Sequence, residues 1–150
     1  METTNAKPDK TICHIGDKAS ITKTFTQEDL EQFARLTLDD NGIHTDPELA
    51  AQGIFRRPVI HGVLVSSLIS SCMGTKMPGH GAILQGQDIS YAAPVYPGDT
   101  VTAEVTITEI DEQPKYYIAT IIGICTNQDG VEVARATSKE MMLKRFFEIE

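Results

Sequence analysis

Residues 59–74 read VIHGVLVSSLISSCMG, and the rest of the chain has to be built around them. Apolar residues occupy nearly every side of a helix over residues 60–72, which would be about 20 Å long at 1.5 Å per residue. After His61 the stretch carries no charge, and its serine hydroxyls can bond back to helix carbonyls. A helix without a charged face is a buried helix, and Gly74 is the predicted end of this one.

The residues that follow supply a surface to wrap this helix. Strands are predicted over residues 83–91, 101–108 and 131–137, with a hairpin turn at 127–130. Residues 116–125 are apolar on both faces, which predicts a central strand or a subunit interface. Residues 139–147 either continue the last strand or cap the domain. The sequence therefore predicts an α+β fold in which a curled antiparallel sheet surrounds one helix.

The residues before the central helix predict a strand and two covering helices. The strand spans residues 19–25, and Thr26 then caps a helix that runs to about Leu38. A second helix begins after Asp46 with Pro47 in its first position and stops at Gly53. Residues 1–10 are polar and are expected to be flexible, and residues 1–150 are expected to form a single domain.

Composition excludes several classes of function. The formal net charge is −8, which argues against nucleic acid as a partner. The three cysteines are widely spaced and form neither a disulfide framework nor a metal-binding pattern. Neither a signal peptide nor a stretch able to span a bilayer is recognisable. We therefore expect a cytoplasmic protein without a metal or a cofactor.

A polar turn, LDDNGIHTD at residues 38–46, follows the first helix. Asp39 and His44 stand five residues apart across Asn41 and Gly42, two residues typical of turns. An acid and an imidazole within reach of one water molecule can act as an acid–base pair. The alternative is a solvated loop after a helix, which is common.

The start of the central helix offers a second candidate group. The Gly62 amide lies in the first helical turn, where N–H groups lack internal partners, and it can hold a carbonyl oxygen that gains negative charge. The favoured interpretation of His61 is a ring that only packs or forms a hydrogen bond. The helix serines are expected to bond to the backbone, His80 to lie in a loop, and Asp88 to face solvent.

Three motifs in this order give the chain a family resemblance: FARLTLDDNGIHTDPELA, FRRPVIHGVLVSSLI and YAAPVYPGDTVTAEVTITEI. Together they resemble the MaoC-like hydratases, and in particular the (R)-specific enoyl-CoA hydratases of the hotdog fold. The resemblance covers roughly residues 20–145. Two positions depart from the family pattern: Asp40, where an apolar residue is commoner, and Gly42, where the family has proline.

The resemblance implies roles for individual residues. Asp39 and His44 match the catalytic pair, and the amide of Gly62 matches the group that meets the thioester carbonyl. Asn41 and Ser67 match residues that line the substrate site. The implied reaction is the reversible hydration of a trans-2-enoyl-CoA to an (R)-3-hydroxyacyl-CoA, with an acyl-CoA thioester as the bound partner.

Two alternatives stay open: an acyl-CoA thioesterase on the same fold, and a non-catalytic acyl-CoA-binding module. Open sheet edges and the resemblance both favour a homodimer or a larger homo-oligomer. The CoA phosphates need cations, and the candidates are Arg56, Arg57, Lys76, Lys115, Arg135 and Lys139.

Overall fold

A computed structural model describes residues 9–150. Of the segment 1–10 that is predicted to be flexible, residues 1–8 lie outside the described residues. The elements in chain order are β1 (Thr11–Cys13), β2 (Lys18–Thr24), α1 (Gln27–Thr37), α2 (Gly42–Thr45), α3 (Pro47–Gln52), α4 (Gly62–Thr75), β3 (Ile83–Tyr91), β4 (Thr100–Glu112), β5 (Tyr116–Thr126), β6 (Glu132–Leu143) and β7 (Phe147–Ile149).

Five strands form one antiparallel sheet in the order β2-β4-β5-β6-β3. The alternation of buried and exposed residues along β4 and β6 shows that one face of the sheet covers the core. The strand that is apolar on both faces, β5, lies in the middle of the sheet, which confirms the first of the two interpretations of residues 116–125. Strand β3 forms one edge and β2 the other.

The helix α4 packs across the core face and contacts every strand of this sheet. Ile69 is fully buried at the centre of the contact, opposite Gly123 of β5. A Cβ atom at residue 123 would lie 2.5 Å from Cγ2 of Ile69, so only glycine allows the helix to approach the strand this closely. The prediction that the sheet wraps one central helix is confirmed.

Two details of the predicted helix are wrong. It spans Gly62–Thr75 rather than residues 60–72, and it continues through Gly74 to a cap at Lys76. It is also not buried on every side: Val63 is 64% exposed and Ser67 is exposed, because this side of the helix faces away from the sheet. The apolar pattern could not show which side of the helix would be exposed, since valine and serine both occur on buried and on exposed helix faces.

Local signals located α1 and α3 correctly. The Thr26 side chain accepts a hydrogen bond from the Asp29 amide, and the Asp29 side chain accepts one from the Thr26 amide, which completes a capping box. The Asp46 side chain caps α3 by accepting from the Glu48 and Leu49 amides, Pro47 is the first residue of α3, and Gly53 is its C-cap.

Three short elements were not predicted. The helix α2 has only four residues, too few to show a period, and lies inside the polar turn. Strands β1 and β7 pair in parallel through contacts between the two ends of the described chain, which no local pattern encodes. The segment 139–147 does continue β6, but only to Leu143, before a turn leads into β7. No helix among residues 9–150 is long and apolar enough to cross a membrane.

Candidate active site

His44, within the polar turn, is held in a fixed orientation. The Asn41 side chain caps α2 by accepting from the Ile43 amide at 3.2 Å, and α2 carries His44 into the interior, where it is only 8% exposed. Its Nδ1 lies 2.7 Å from the carbonyl oxygen of Val59. Because a carbonyl only accepts, Nδ1 is the protonated nitrogen, and Nε2 of the neutral ring keeps a free lone pair. A histidine arranged in this way can accept a proton.

Asp39 comes directly after α1 and lies beside that ring. Leu38 ends the helix with a φ of +65°, a left-handed conformation that turns the chain sharply before Asp39. Asp39, His44 and His61 each offer a ligand-type atom within 4.8 Å of the other two. The structure thus brings the two predicted catalytic residues together, with the carboxylate exposed and the imidazole buried. The alternative of a solvated loop is wrong for His44.

An apolar cavity of about 430 Å³ opens beside His44 and the start of α4. Its walls come from α2, the connector before α4, α4 itself, and the segment after β3. The lining residues are Ile43, His44, Phe55, Val59, Ile60, Gly62, Val63, Val65, Tyr91, Ala92, Ala93, Pro94, Val95 and Val133. A mostly apolar cavity with a few polar groups is what a small acyl ligand requires.

Gly62 lines this cavity from the first position of α4, where no carbonyl of the same helix is available to its amide. The Tyr91 ring lies so close that a Cβ atom on residue 62 would come within 3.0 Å of it. Glycine at this position therefore lets the aromatic wall of the cavity approach the helix start. The sequence showed the glycine but not the tyrosine, which is contributed by β3.

The other two predicted binding residues lie elsewhere. Asn41 caps α2 and does not line the cavity. Ser67 is exposed on the open side of α4, and its hydroxyl donates to the Leu64 carbonyl at 2.5 Å. The neighbouring Ser66 is the buried serine, and its hydroxyl lies 2.9 Å from the Tyr91 hydroxyl at the cavity wall. The sequence predicted only a backbone bond for Ser66, which its hydroxyl does form with the Val63 carbonyl, and it gave no indication of Tyr91. Substrate contact by Asn41 or Ser67 stays a prediction.

Known proteins resemble this chain in sequence and fold. The family model described as MaoC like domain matches residues 10–122. The chain belongs to the MaoC-like domain family. It is 40% identical over 130 residues to the (R)-specific enoyl-CoA hydratase of Aeromonas caviae, with 87% of this chain and 93% of the relative covered.

A solved structure of the (R)-hydratase from A. caviae superposes on this MaoC-like domain with a TM-score of 0.78 and 39% identity, covering 84% of this chain and 94% of the other. The 3-hydroxyacyl-[acyl-carrier-protein] dehydratase of Arabidopsis thaliana is 33% identical over 109 residues, with 73% of this chain and 64% of the relative covered. The α+β architecture of one helix wrapped by a five-stranded antiparallel sheet is the hotdog fold.

A metal ion does not fit between the three clustered side chains of the MaoC-like domain. The rings of His44 and His61 are stacked, with centroids 3.8 Å apart and planes only 25° from parallel. The nitrogen lone pairs lie in their ring planes, and the planes of stacked rings do not meet within metal-bonding distance of about 2.1 Å. Asp39 and the two histidines are therefore arranged for hydrogen bonding rather than for coordination.

None of the predicted phosphate-binding cations lines the cavity, but Arg56 and Arg57 lie in the chain between the cavity residues Phe55 and Val59. Arg57 stacks on the Tyr96 ring, with its Cζ 3.9 Å from the ring centroid, and the Tyr96 hydroxyl donates to the carbonyl of the cavity residue Phe55 at 3.0 Å. Arg56 has a φ of +68°, a second left-handed residue next to the site. In contrast, Arg135 pairs with Glu132. The remaining candidates, Lys76, Lys115 and Lys139, lie outside the segment that joins Phe55 to Val59.

Proposed function

We propose that this chain catalyses the reversible hydration of a trans-2-enoyl-CoA to an (R)-3-hydroxyacyl-CoA, and that Asp39 and His44 are its catalytic residues. The observation that carries the proposal is that Asp39 lies within 4.8 Å of His44, and that His44 and Gly62 line the same apolar cavity. Relatives named as (R)-specific enoyl-CoA hydratases support the same hydro-lyase activity.

The pair activates one water molecule. With Nδ1 of His44 bonded to Val59, both Nε2 of His44 and the carboxylate of Asp39 are acceptors, so the two together can hold both hydrogens of a water. One acceptor takes a proton as the hydroxide adds to Cβ of the enoyl group. The same proton is then delivered to Cα, so that the elements of one water are added and none is left over.

The thioester carbonyl becomes enolate-like when hydroxide adds, and its oxygen gains negative charge. The Gly62 amide at the start of α4 is the donor for that oxygen, since it is fixed, has no partner within its helix and benefits from the positive end of the helix dipole. Because water and carbonyl are both held by fixed groups, addition occurs on one face of the double bond.

Arg57 binds a phosphate of the CoA moiety in this proposal. Its side chain is held against Tyr96, whose hydroxyl bonds to the cavity residue Phe55, and a local cation is needed because the protein as a whole is acidic. Relatives include both a CoA-dependent and an acyl-carrier-protein-dependent enzyme, so this contact bears on which thioester the chain accepts.

The proposed contact between Arg57 and a CoA phosphate can be tested with two thioesters. We expect Arg57→Ala to raise KM for crotonyl-CoA about tenfold, as loss of one charged hydrogen bond would. KM for crotonyl-N-acetylcysteamine, which has no phosphate, should not change. Arg145→Ala is the matched control, since Arg145 is an exposed arginine beside the Phe146 ring and does not line the cavity. Equal effects on both thioesters would remove Arg57 from phosphate binding.

The alternatives predict different products. A thioesterase would release free thiol, yet α4 carries no carboxylate that could activate water at the thioester. A binding module would leave the enoyl group intact. Incubation with crotonyl-CoA, followed by absorbance of the enoyl group and by a thiol reagent in parallel, separates all three. We expect loss of the enoyl absorbance without thiol release.

The catalytic pair is tested by Asp39→Asn and His44→Ala. Each should lower turnover by about 10²- to 10⁴-fold, the usual contribution of a positioned acid or base. His80→Ala, at an exposed loop histidine, is the control and should behave as wild type. Turnover near the wild-type value in either Asp39→Asn or His44→Ala would show that the pair is not catalytic.

The stereochemistry has its own assay. The hydrated product is supplied to an (S)-specific 3-hydroxyacyl-CoA dehydrogenase with NAD. We expect little NADH despite complete hydration, because the product is the (R) isomer. Stoichiometric NADH would exclude the proposed mechanism even if hydratase activity were present.

The assembly and location form part of the proposal. We infer a homodimer or larger homo-oligomer of single-domain chains, supported by the nine-residue edge strand β3 and by the exposed side of α4. A cytoplasmic location remains our prediction from the sequence, and cell fractionation tests it.

A further inference from the structure

His61 is one of the most deeply buried polar residues of the protein, at 1% exposure, and it occupies the N-cap position of α4. A residue at this position usually satisfies an amide of its own helix. The His61 side chain forms no such bond. Its ring bonds instead to Asp39 in the polar turn, 22 residues earlier in the chain.

One edge of the ring holds the backbone of Asp39. Nε2 of His61 lies 2.9 Å from the Asp39 carbonyl oxygen. A carbonyl can only accept, so Nε2 carries the hydrogen and donates it. This bond anchors the residue that follows the left-handed Leu38, at the point where the chain leaves α1. The Asp39 carboxylate is exposed, but the backbone from which it extends is fixed by His61.

One face of the same ring supports His44. The two imidazoles are stacked at 3.8 Å, and Phe33 packs edge-on against His61 with centroids 4.8 Å apart. His44 is thus held by Val59 at Nδ1 and by His61 across its face, which leaves Nε2 as its unengaged nitrogen. His61 therefore contacts both members of the pair.

The remaining nitrogen of His61 indicates that the ring does more than pack. Nδ1 is buried and has no hydrogen-bond partner among residues 9–150. A buried polar atom without a partner is destabilising, and an apolar ring of similar size would fill the space without it. The histidine therefore provides what an apolar ring could not, which is the Nε2–H donor.

We propose that His61 is a positioning residue of the active site, which holds Asp39 through its backbone and His44 through its ring, and that the two histidines are in opposite tautomers. The proposal builds on the proposed function. Its first test is independent of activity and uses the wild-type protein.

That test is ¹H–¹⁵N correlation NMR on protein with ¹⁵N-labelled histidine, at a pH where both rings are neutral. We expect His44 to be protonated on Nδ1 and His61 on Nε2. A His61 ring that carries its hydrogen on Nδ1 could not donate to Asp39, and this result would overturn the proposal whether or not the protein is a hydratase.

The second test compares two substitutions. His61→Gln keeps an N–H donor, whereas His61→Phe keeps a stacked ring and loses the donor. We expect His61→Phe to lower kcat by about 10- to 100-fold, the effect of displacing a catalytic group, with little change in KM, and His61→Gln to recover most of that loss. His80→Gln and His80→Phe are the matched controls, at an exposed histidine.

The outcomes are distinct. Normal kcat in His61→Phe, or equal losses in both His61 variants, would overturn the donor role. If His61→Phe does not fold, the tautomers observed by NMR decide the question. If the wild-type protein does not hydrate crotonyl-CoA, the proposed function fails, while the NMR result still tests the hydrogen bond.

Discussion

Glu140 is a carboxyl group inside the core, and it makes the stability of this protein depend on pH. It lies on the core face of β6 at 3% exposure, and its strand neighbours in register are Ala119 of β5 and Leu84 of β3. Burial disfavours the charged carboxylate, which raises the pKa of Glu140 from 4.5 to about 7.

The direction of the effect follows from proton binding. Between pH 4.5 and pH 7 the folded protein keeps a proton on Glu140 that the unfolded chain releases. Folding is therefore favoured by low pH in this window, and the free energy of unfolding falls as pH rises towards 7. The pKa difference of about 2.5 pH units, at 1.36 kcal/mol each, sets an upper limit of about 3 kcal/mol.

The test substitution is Glu140→Gln, which keeps the shape of the side chain and removes its ionisable carboxyl group. Urea unfolding of both proteins is measured at pH 5, 6, 7 and 8. We expect the variant to gain up to about 3 kcal/mol relative to wild type between pH 5 and pH 8. Glu109→Gln, at an exposed position on β4, should show no such gain. Parallel pH profiles of Glu140→Gln and wild type would refute the reasoning.

Three further predictions concern packing and capping, each measured as the free energy of urea unfolding. Ile69→Ala should destabilise by about 2–5 kcal/mol because it opens a cavity at the centre of the core. Gly123→Ala should cost about 1–3 kcal/mol through the clash with Ile69, and should cost less in the Ile69→Ala background; additive effects would contradict the contact. Thr26→Ala should cost about 1 kcal/mol by removing the cap of α1, whereas Thr26→Ser, which keeps the capping hydroxyl, should retain most of the stability.

Several features could be predicted from the chain because their signals are local. The capping box of α1 spans four residues, and the period of two along β4 repeats within one strand. Asp39 and His44 share one short turn, so their proximity needs no knowledge of the fold. The absence of charge in α4 indicated its burial, and the family motifs indicated the hotdog fold.

What only the tertiary structure decided involves contacts between distant segments. The pattern of α4 could not choose between Ser66 and Ser67, because successive helix residues point about 100° apart and the sheet determines which side is covered. The pairing of β1 with β7 likewise depends on a contact between segments that are distant in the chain.

His61 shows most clearly what the sequence could not determine. Its sequence position predicted a ring that packs or bonds, which is correct, but not which groups it meets. Stacking on His44 and donation to Asp39 arise only when α4 packs against the turn after α1. Local sequence determines the conformation of each segment through short-range bonds and sterics. Side-chain packing across segments determines which functional groups touch, because hydrophobic burial fixes how those segments lie against one another.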